Sequence, residues 1–145
     1  MANPLSKEEF ASKYRSWRSQ LTRSLQGTIC GVPVTLTEVC EDGTCLFSVT
    51  PEPWMTNPGG VMHGGLICTF LDTAMGSVAG CVTGHMTPSV SIHVDFVRPV
   101  LLDTPVCIRV HAPSIGGTLA YMTAELWQAD ETRPCAVASG TYFTK

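Results

Sequence analysis

The predicted fold class is α+β. One long buried helix is wrapped by a curved antiparallel sheet of about six strands, and a further helix precedes it. Three observations predict this. Residues 64–82 make one helix-length apolar stretch. Six strand-like stretches surround it, two before and four after, and short turn signals join them as antiparallel neighbours require. A single helix that apolar needs a surface around it, which only those strands can supply. The 145 residues suffice for one domain with a full core, and 44% hydrophobic with 14% charged residues excludes a disordered chain. A net charge of −3 leaves no footprint for nucleic acid. No uninterrupted apolar run reaches the ~18 residues of a membrane span.

Ser6 and Glu9 fit a capping box at a helix start. Phe10, Tyr14, Trp17, Leu21 and Leu25 then recur at intervals of three and four, with Lys7, Arg15, Arg18 and Arg23 off that stripe. Gly27 ends the helix. The expected organisation is thus an amphipathic helix over residues 1–27, docked on a domain of residues 28–145.

Residues 32–39 read as a strand in which Val34, Leu36 and, less regularly, Val39 oppose threonines. Glu41-Asp42-Gly43 supplies a turn, residues 44–50 the return strand, and Pro51, Pro53 and Pro58 end the regular structure. On the 64–82 helix the apolar residues cover about 220° of arc. Thr69, Asp72, Thr73, Gly76 and Gly80 share the rest, with Ser77 at the edge, and the two glycines predict a close approach by another backbone. Residues 89–97 alternate strictly: Val90, Ile92, Val94 and Phe96 on one face; Ser89, Ser91, His93 and Asp95 on the other. Residues 106–111, 118–128 and 135–143 are three more strands, with turns at Ile115-Gly116-Gly117-Thr118 and Asp130-Glu131-Thr132.

Asp72 is the anomaly of the long helix. An aspartate among apolar neighbours pays for desolvation unless it is hydrogen-bonded or protonated. It is either bonded to Thr69 or Ser77 or facing a groove, or it is a general base or nucleophile. The second feature is Asn57-Pro-Gly-Gly-Val-Met-His63-Gly64-Gly65, which ends where the helix begins. Unpaired amides at a helix start carry the positive end of the dipole and suit a carbonyl oxygen that gains negative charge. The plain alternative is a Gly-rich helix entry capped by His63. Asp72 lies about 12 Å along the axis from Gly64, too far for both to serve one atom in a straight helix. The seven cysteines are odd in number and scattered without Cys-x-x-Cys. Residues 1–10, MANPLSKEEF, hold no apolar leader core, so the expectation is reduced thiols in a cytoplasmic protein and no metal site.

Taken in order, Asn57…His63-Gly64-Gly65-x6-Asp72-Thr73-Ala74, then Ser89-Val90-Ser91-Ile92-x3-Phe96-x-Arg98-Pro99, then Gly117-Thr118-Leu119 resemble the PaaI-like hotdog acyl-CoA thioesterases, relatives of the 4-hydroxybenzoyl-CoA thioesterases. The resemblance covers about residues 32–145. It implies a hotdog fold, a homodimer formed by pairing edge strands and stacked into a dimer of dimers, and an active site between two subunits. It implies that the Gly64 amide holds the thioester carbonyl and that Asp72 is general base or nucleophile. Asn57 then holds the acyl group or water, Ser89 orients that water, and His63 positions the loop. Gly65 and Thr73 belong to the same matching motif and are expected at the substrate. Arg98 and Arg109 are candidates for the CoA phosphates, with solvated surface charge the plainer reading of each. Trp54, Met55, Phe70 and Met75 are candidates for the acyl pocket, and core packing explains Phe70 and Met75 equally well. His85, His93 and His111 read as surface or strand residues.

The implied reaction is hydrolysis of an acyl-CoA or aryl-CoA thioester to a carboxylate and free CoA. It needs no cofactor, since coenzyme A is part of the substrate, and no membrane or nucleic-acid partner. Two rivals remain: a hotdog acyl thioester hydratase or dehydratase, whose His and carboxylate pattern His63 and Asp72 do not reproduce, and a non-catalytic acyl-CoA-binding domain, which has no use for a buried base.

Overall fold

The computed structural model describes residues 6–24, 32–129 and 132–145. The elements follow the expected order: α1 (Lys7–Ser24), β1 (Thr35–Val39), β2 (Cys45–Val49), a short 3-10 turn (Pro53–Met55), α2 (Gly64–Thr83), β3 (Ser89–Phe96), β4 (Val106–Ile115), β5 (Leu119–Trp127) and β6 (Ala136–Phe143). The strands form one antiparallel sheet in the order β1-β2-β4-β5-β6-β3.

The capping box at α1 closes as expected: Ser6 N–H donates to Glu9 Oε2 at 2.9 Å and Glu9 N–H to Ser6 Oγ at 3.2 Å. Phe10 is buried in the core, and Cys81 Sγ donates to its carbonyl oxygen at 3.4 Å. The side chains of Tyr14, Trp17 and Leu21, together with Leu25, Gly27 and the boundary at residues 27–28, lie outside the described residues. The Glu41-Asp42-Gly43 turn joins β1 to β2, with Gly43 at φ 87° and Thr44 N–H donating to Asp42 Oδ1 at 2.9 Å. The uneven alternation of β1 has a local cause. Its register slips between Leu36 and Glu38, a bulge that returns Val39 to the buried side.

Inward residues alternate along the central strands: Cys45, Phe47 and Val49 on β2; Val106, Ile108 and Val110 on β4; Ala120, Met122, Ala124 and Leu126 on β5; Ala136, Ala138, Gly140 and Tyr142 on β6. The helix α2 lies against this face and touches β2, β3, β4, β5 and β6. Ile67, Phe70, Leu71, Ala74, Met75, Val78 and Ala79 bury there. By length and composition α2 is apolar enough to cross a bilayer, but it is the core helix of this sheet. Its end is set by Gly84 in the left-handed region at φ 83°.

The strand β3 is an edge, and it departs from strict alternation. Its register against β6 shifts between Ser89 and Ser91, so Ser89 opposes Tyr142 while Ile92 opposes Gly140, Val94 opposes Ala138 and Phe96 opposes Ala136. Directly opposed residues share a face. The bulge at Val90 therefore turns Ser89 to the same side as Ile92, Val94 and Phe96, not to the opposite one as alternation predicts. A further bulge between His111 and Ser114 takes up Pro113 in β4. Of the expected Asp130-Glu131-Thr132 turn, Asp130 and Glu131 lie outside the described residues.

Candidate active site

Asp72 sits half-buried in α2 where β3 and β6 cross it. Its Oδ1 accepts two hydrogen bonds, from Ser89 Oγ at 2.7 Å and from Tyr142 Oη at 2.9 Å. Oδ2 has no hydrogen-bond partner among the described residues. The expected helix partners do not take part: Thr69 Oγ1 turns back to the Gly65 carbonyl at 2.9 Å, an ordinary use of a helical hydroxyl. Two neutral donors on one oxygen fix the rotamer of the carboxylate.

Tyr142 escaped the sequence reading. It is fully buried, and burial together with the Asp72 carboxylate pushes its hydroxyl far above the usual tyrosine range. Its ring fits a slot between two glycines. A methyl group at Gly140 would lie 2.8 Å from Tyr142 Cε2, and one at Gly76 would lie 3.3 Å from Cε1. Gly76 thus makes room for an aromatic ring and not for another backbone. The available signal was a tyrosine two places beyond a glycine on a face otherwise lined by Ala136 and Ala138.

The second group of residues gathers at the start of α2. Asn57 Oδ1 accepts from Gly59 N–H at 2.9 Å and Val61 N–H at 3.3 Å, which closes the loop onto its own side chain. Its Nδ2 has no partner among the described residues. His63 caps α2: its Nδ1 accepts from Gly65 N–H at 2.9 Å, and its backbone N–H donates to the Met55 carbonyl at 2.8 Å. The amides of Leu66 and Ile67 go to the His63 carbonyl. With the Gly65 amide also engaged, Gly64 is the helix-start amide left for a ligand. The Phe96 ring lies over it, 3.4 Å from where a Gly64 methyl group would stand.

Other expected site residues are placed as follows. Trp54 is 59% exposed and donates to Glu52 Oε2 at 2.6 Å, whereas Met55, Phe70 and Met75 are sealed in the core. Thr73 is half-buried one residue after Asp72. Arg98 Nη2 donates to the Arg133 carbonyl at 2.6 Å, and Arg109 stacks on Trp127 at 4.8 Å. His85, His93 and His111 are exposed. The structure therefore brings Asp72, Ser89 and Tyr142 together, and separately Asn57, His63, Gly64 and Gly65. Among the described residues no hydrogen bond joins the two groups.

Residues 59–135 match the family model of the thioesterase superfamily. The acyl-coenzyme A thioesterase THEM4 of Bos taurus is 28% identical over 99 residues, 68% of this chain and 39% of that protein. The matched region spans about two fifths of the length of the curated relatives. Among solved structures, the E. coli PaaI protein of the phenylacetic acid degradation operon superposes with a TM-score of 0.77 at 14% identity, covering 97% of this chain and 96% of that one. A Streptococcus pneumoniae hypothetical thioesterase solved with coenzyme A gives 0.69 at 20% identity, covering 77% and 88%. These two share the fold, a helix wrapped in an antiparallel sheet. The family match extends over more than half of the chain, and the protein belongs to the thioesterase superfamily.

Proposed function

We propose that the protein hydrolyses acyl-CoA or aryl-CoA thioesters to the carboxylate and free CoA, with Asp72 as the reacting carboxylate. The observation that carries this reading is the pair of donors on Oδ1 beside an open Oδ2. A carboxylate with one oxygen tied and the other open is suited to take a proton or to attack a carbonyl, and simple binding of a ligand has no use for it. The name of the curated relatives, and the coenzyme A in one structural neighbour, support the substrate class.

The chemistry follows from the donors. Ser89 spends its proton on Oδ1, so its oxygen can only accept one from water. A water that donates to Ser89 Oγ and to Oδ2 is oriented for attack on the thioester carbon. Oδ2 takes its proton, the C–S bond breaks, and the CoA thiolate departs and is protonated by solvent. Direct attack by Oδ2 is the other route, and water then cleaves the resulting anhydride. The Gly64 amide stabilises the carbonyl oxygen in either case. One such donor is worth about 10²–10³ in rate.

The two halves of the site meet across a dimer. Ser89 stands beside Asp72 at one end of β3 and Phe96 beside Gly64 at the other, about 23 Å away along the strand. Two copies that pair β3 antiparallel about a two-fold axis bring the Ser89 end of one chain to the Phe96 end of the other. Asp72 then faces Gly64 and Asn57 of the partner subunit. Support comes from the edge itself, where Val90 is 59%, Phe96 56% and Val97 40% exposed. An edge strand left that apolar invites a second strand. A second exposed group on β4, β5 and β6, formed by Ile115, Leu119, Tyr121 and Phe143, supports stacking of two dimers.

The test is thiol release from a panel of acyl- and aryl-CoA thioesters by wild type and Asp72→Asn. The expected result is turnover by wild type and a fall of at least about 10²-fold in the variant, the scale of a lost general base. Equal rates remove Asp72 from the reaction. Hydration of crotonyl-CoA, or binding with no turnover, favours the rival functions instead.

A further inference from the structure

We infer that Tyr142 is a positioning residue of this site: with Ser89 it ties Asp72 Oδ1 and thereby selects Oδ2 as the oxygen that reacts. The inference rests on the proposed role of Asp72, and its geometry stands independently of that role. Tyr142 Oη lies 2.9 Å from Asp72 Oδ1 and 3.3 Å from the Asp72 carbonyl oxygen, so the hydroxyl is anchored to both the side chain and the main chain of one residue. The ring cannot swing aside, because it is fully buried and walled by Gly76 and Gly140. Ser89 and Tyr142 are directly opposed in the β3–β6 register, so both donors reach α2 from one face of the sheet. That convergence depends on the bulge at Val90, which turns Ser89 inward.

A buried tyrosine hydroxyl needs a partner wherever it sits. Here the partner is a carboxylate, and two donors converge on one oxygen while the second is left bare. Because burial and the adjacent carboxylate hold the phenol protonated, Tyr142 remains a donor throughout the working pH range and is not a proton source for the reaction. Its effect is on Asp72: it holds the carboxylate in one rotamer.

The experiment is steady-state kinetics on an acyl-CoA substrate with wild type, Asp72→Asn and Tyr142→Phe, reading kcat and KM separately. Phenylalanine fills the same slot, so the variant retains its fold by circular dichroism and thermal melting. In the same variant kcat falls on the order of tenfold while KM changes little, the mark of lost alignment. A merely structural tyrosine lowers the melting temperature and leaves kcat where it was, and that result overturns the inference. An Asp72→Asn enzyme that turns over as fast as wild type removes Asp72 from the reaction and the reactive-oxygen assignment with it, while the contact itself stands.

Discussion

Replacing Gly140 with alanine puts a methyl group 2.8 Å from Tyr142 Cε2, 3.0 Å from its hydroxyl oxygen and 3.2 Å from Met75 Cε. Carbon atoms rest about 3.5 Å or more apart, so the ring must withdraw by about 0.7 Å. The opposite edge of the ring faces Gly76, where an added methyl group would stand 3.3 Å from Cε1. A displacement of that size disturbs the 2.9 Å contact between Tyr142 and Asp72. Overpacking of this kind costs about 1–3 kcal/mol. For a chain of this length each kcal/mol lowers the melting temperature by about 2–4 °C, so a fall of roughly 2–12 °C is expected. Gly117→Ala is the matched control, because its added methyl group meets nothing within 4 Å. Differential scanning calorimetry on the three proteins decides the matter, with thiol release on the same samples. If Gly140→Ala melts with wild type and turns over as fast, the slot around Tyr142 is not tight and the reasoning fails.

Two further outcomes are expected. Burial, reinforced by the neighbouring Cys81, pushes the Cys45 thiol up to about 12, and burial pushes Cys81 to about 11. In the unfolded chain both thiols ionise near pH 9, so unfolding gains favour as pH rises from 9 towards 11–12. The stability lost to Cys45 alone is about 1.4 kcal/mol per pH unit, measurable by urea denaturation, and a flat stability between pH 9 and 11 would refute it. Lysine at both Val90 and Ile92 charges the apolar edge of β3. Light scattering is expected to give a dimer or larger for wild type and a monomer without turnover for the double variant; an active monomer would rule out the shared site.

Much of the fold is legible in the sequence because it rests on local periodicity. The helix α2 announces itself by an apolar arc too wide for a surface helix, and the turns by Asp42-Gly43 and Gly116-Gly117. The irregular phase of Val34, Leu36 and Val39 is the trace of the β1 bulge. The face of Ser89 is not legible, because one extra residue at Val90 reverses it and nothing in Ser89-Val90-Ser91 marks the slip. Tyr142 is hidden for another reason. It meets Asp72 across 70 residues, a pairing fixed by the order of strands in the sheet and not by any spacing in the chain. Gly76 is visible as an opening on the helix, but what fills it depends on that same pairing. Residue type pointed to Asp72 and Gly64. Which amide is free follows only from the structure, where His63 occupies the Gly65 amide.

Subunit complementation tests the central claim most directly. Asp72→Asn and Asn57→Ala chains are each expected to be nearly inactive. When they are unfolded together and refolded as a mixture, half of the dimers are mixed. In a site shared across β3, each mixed dimer carries one intact pair of Asp72 and Asn57, and the mixture recovers about a quarter of wild-type thioester hydrolysis. A mixture that stays as inactive as its two components would show that both residues act within one chain, and would contradict the account.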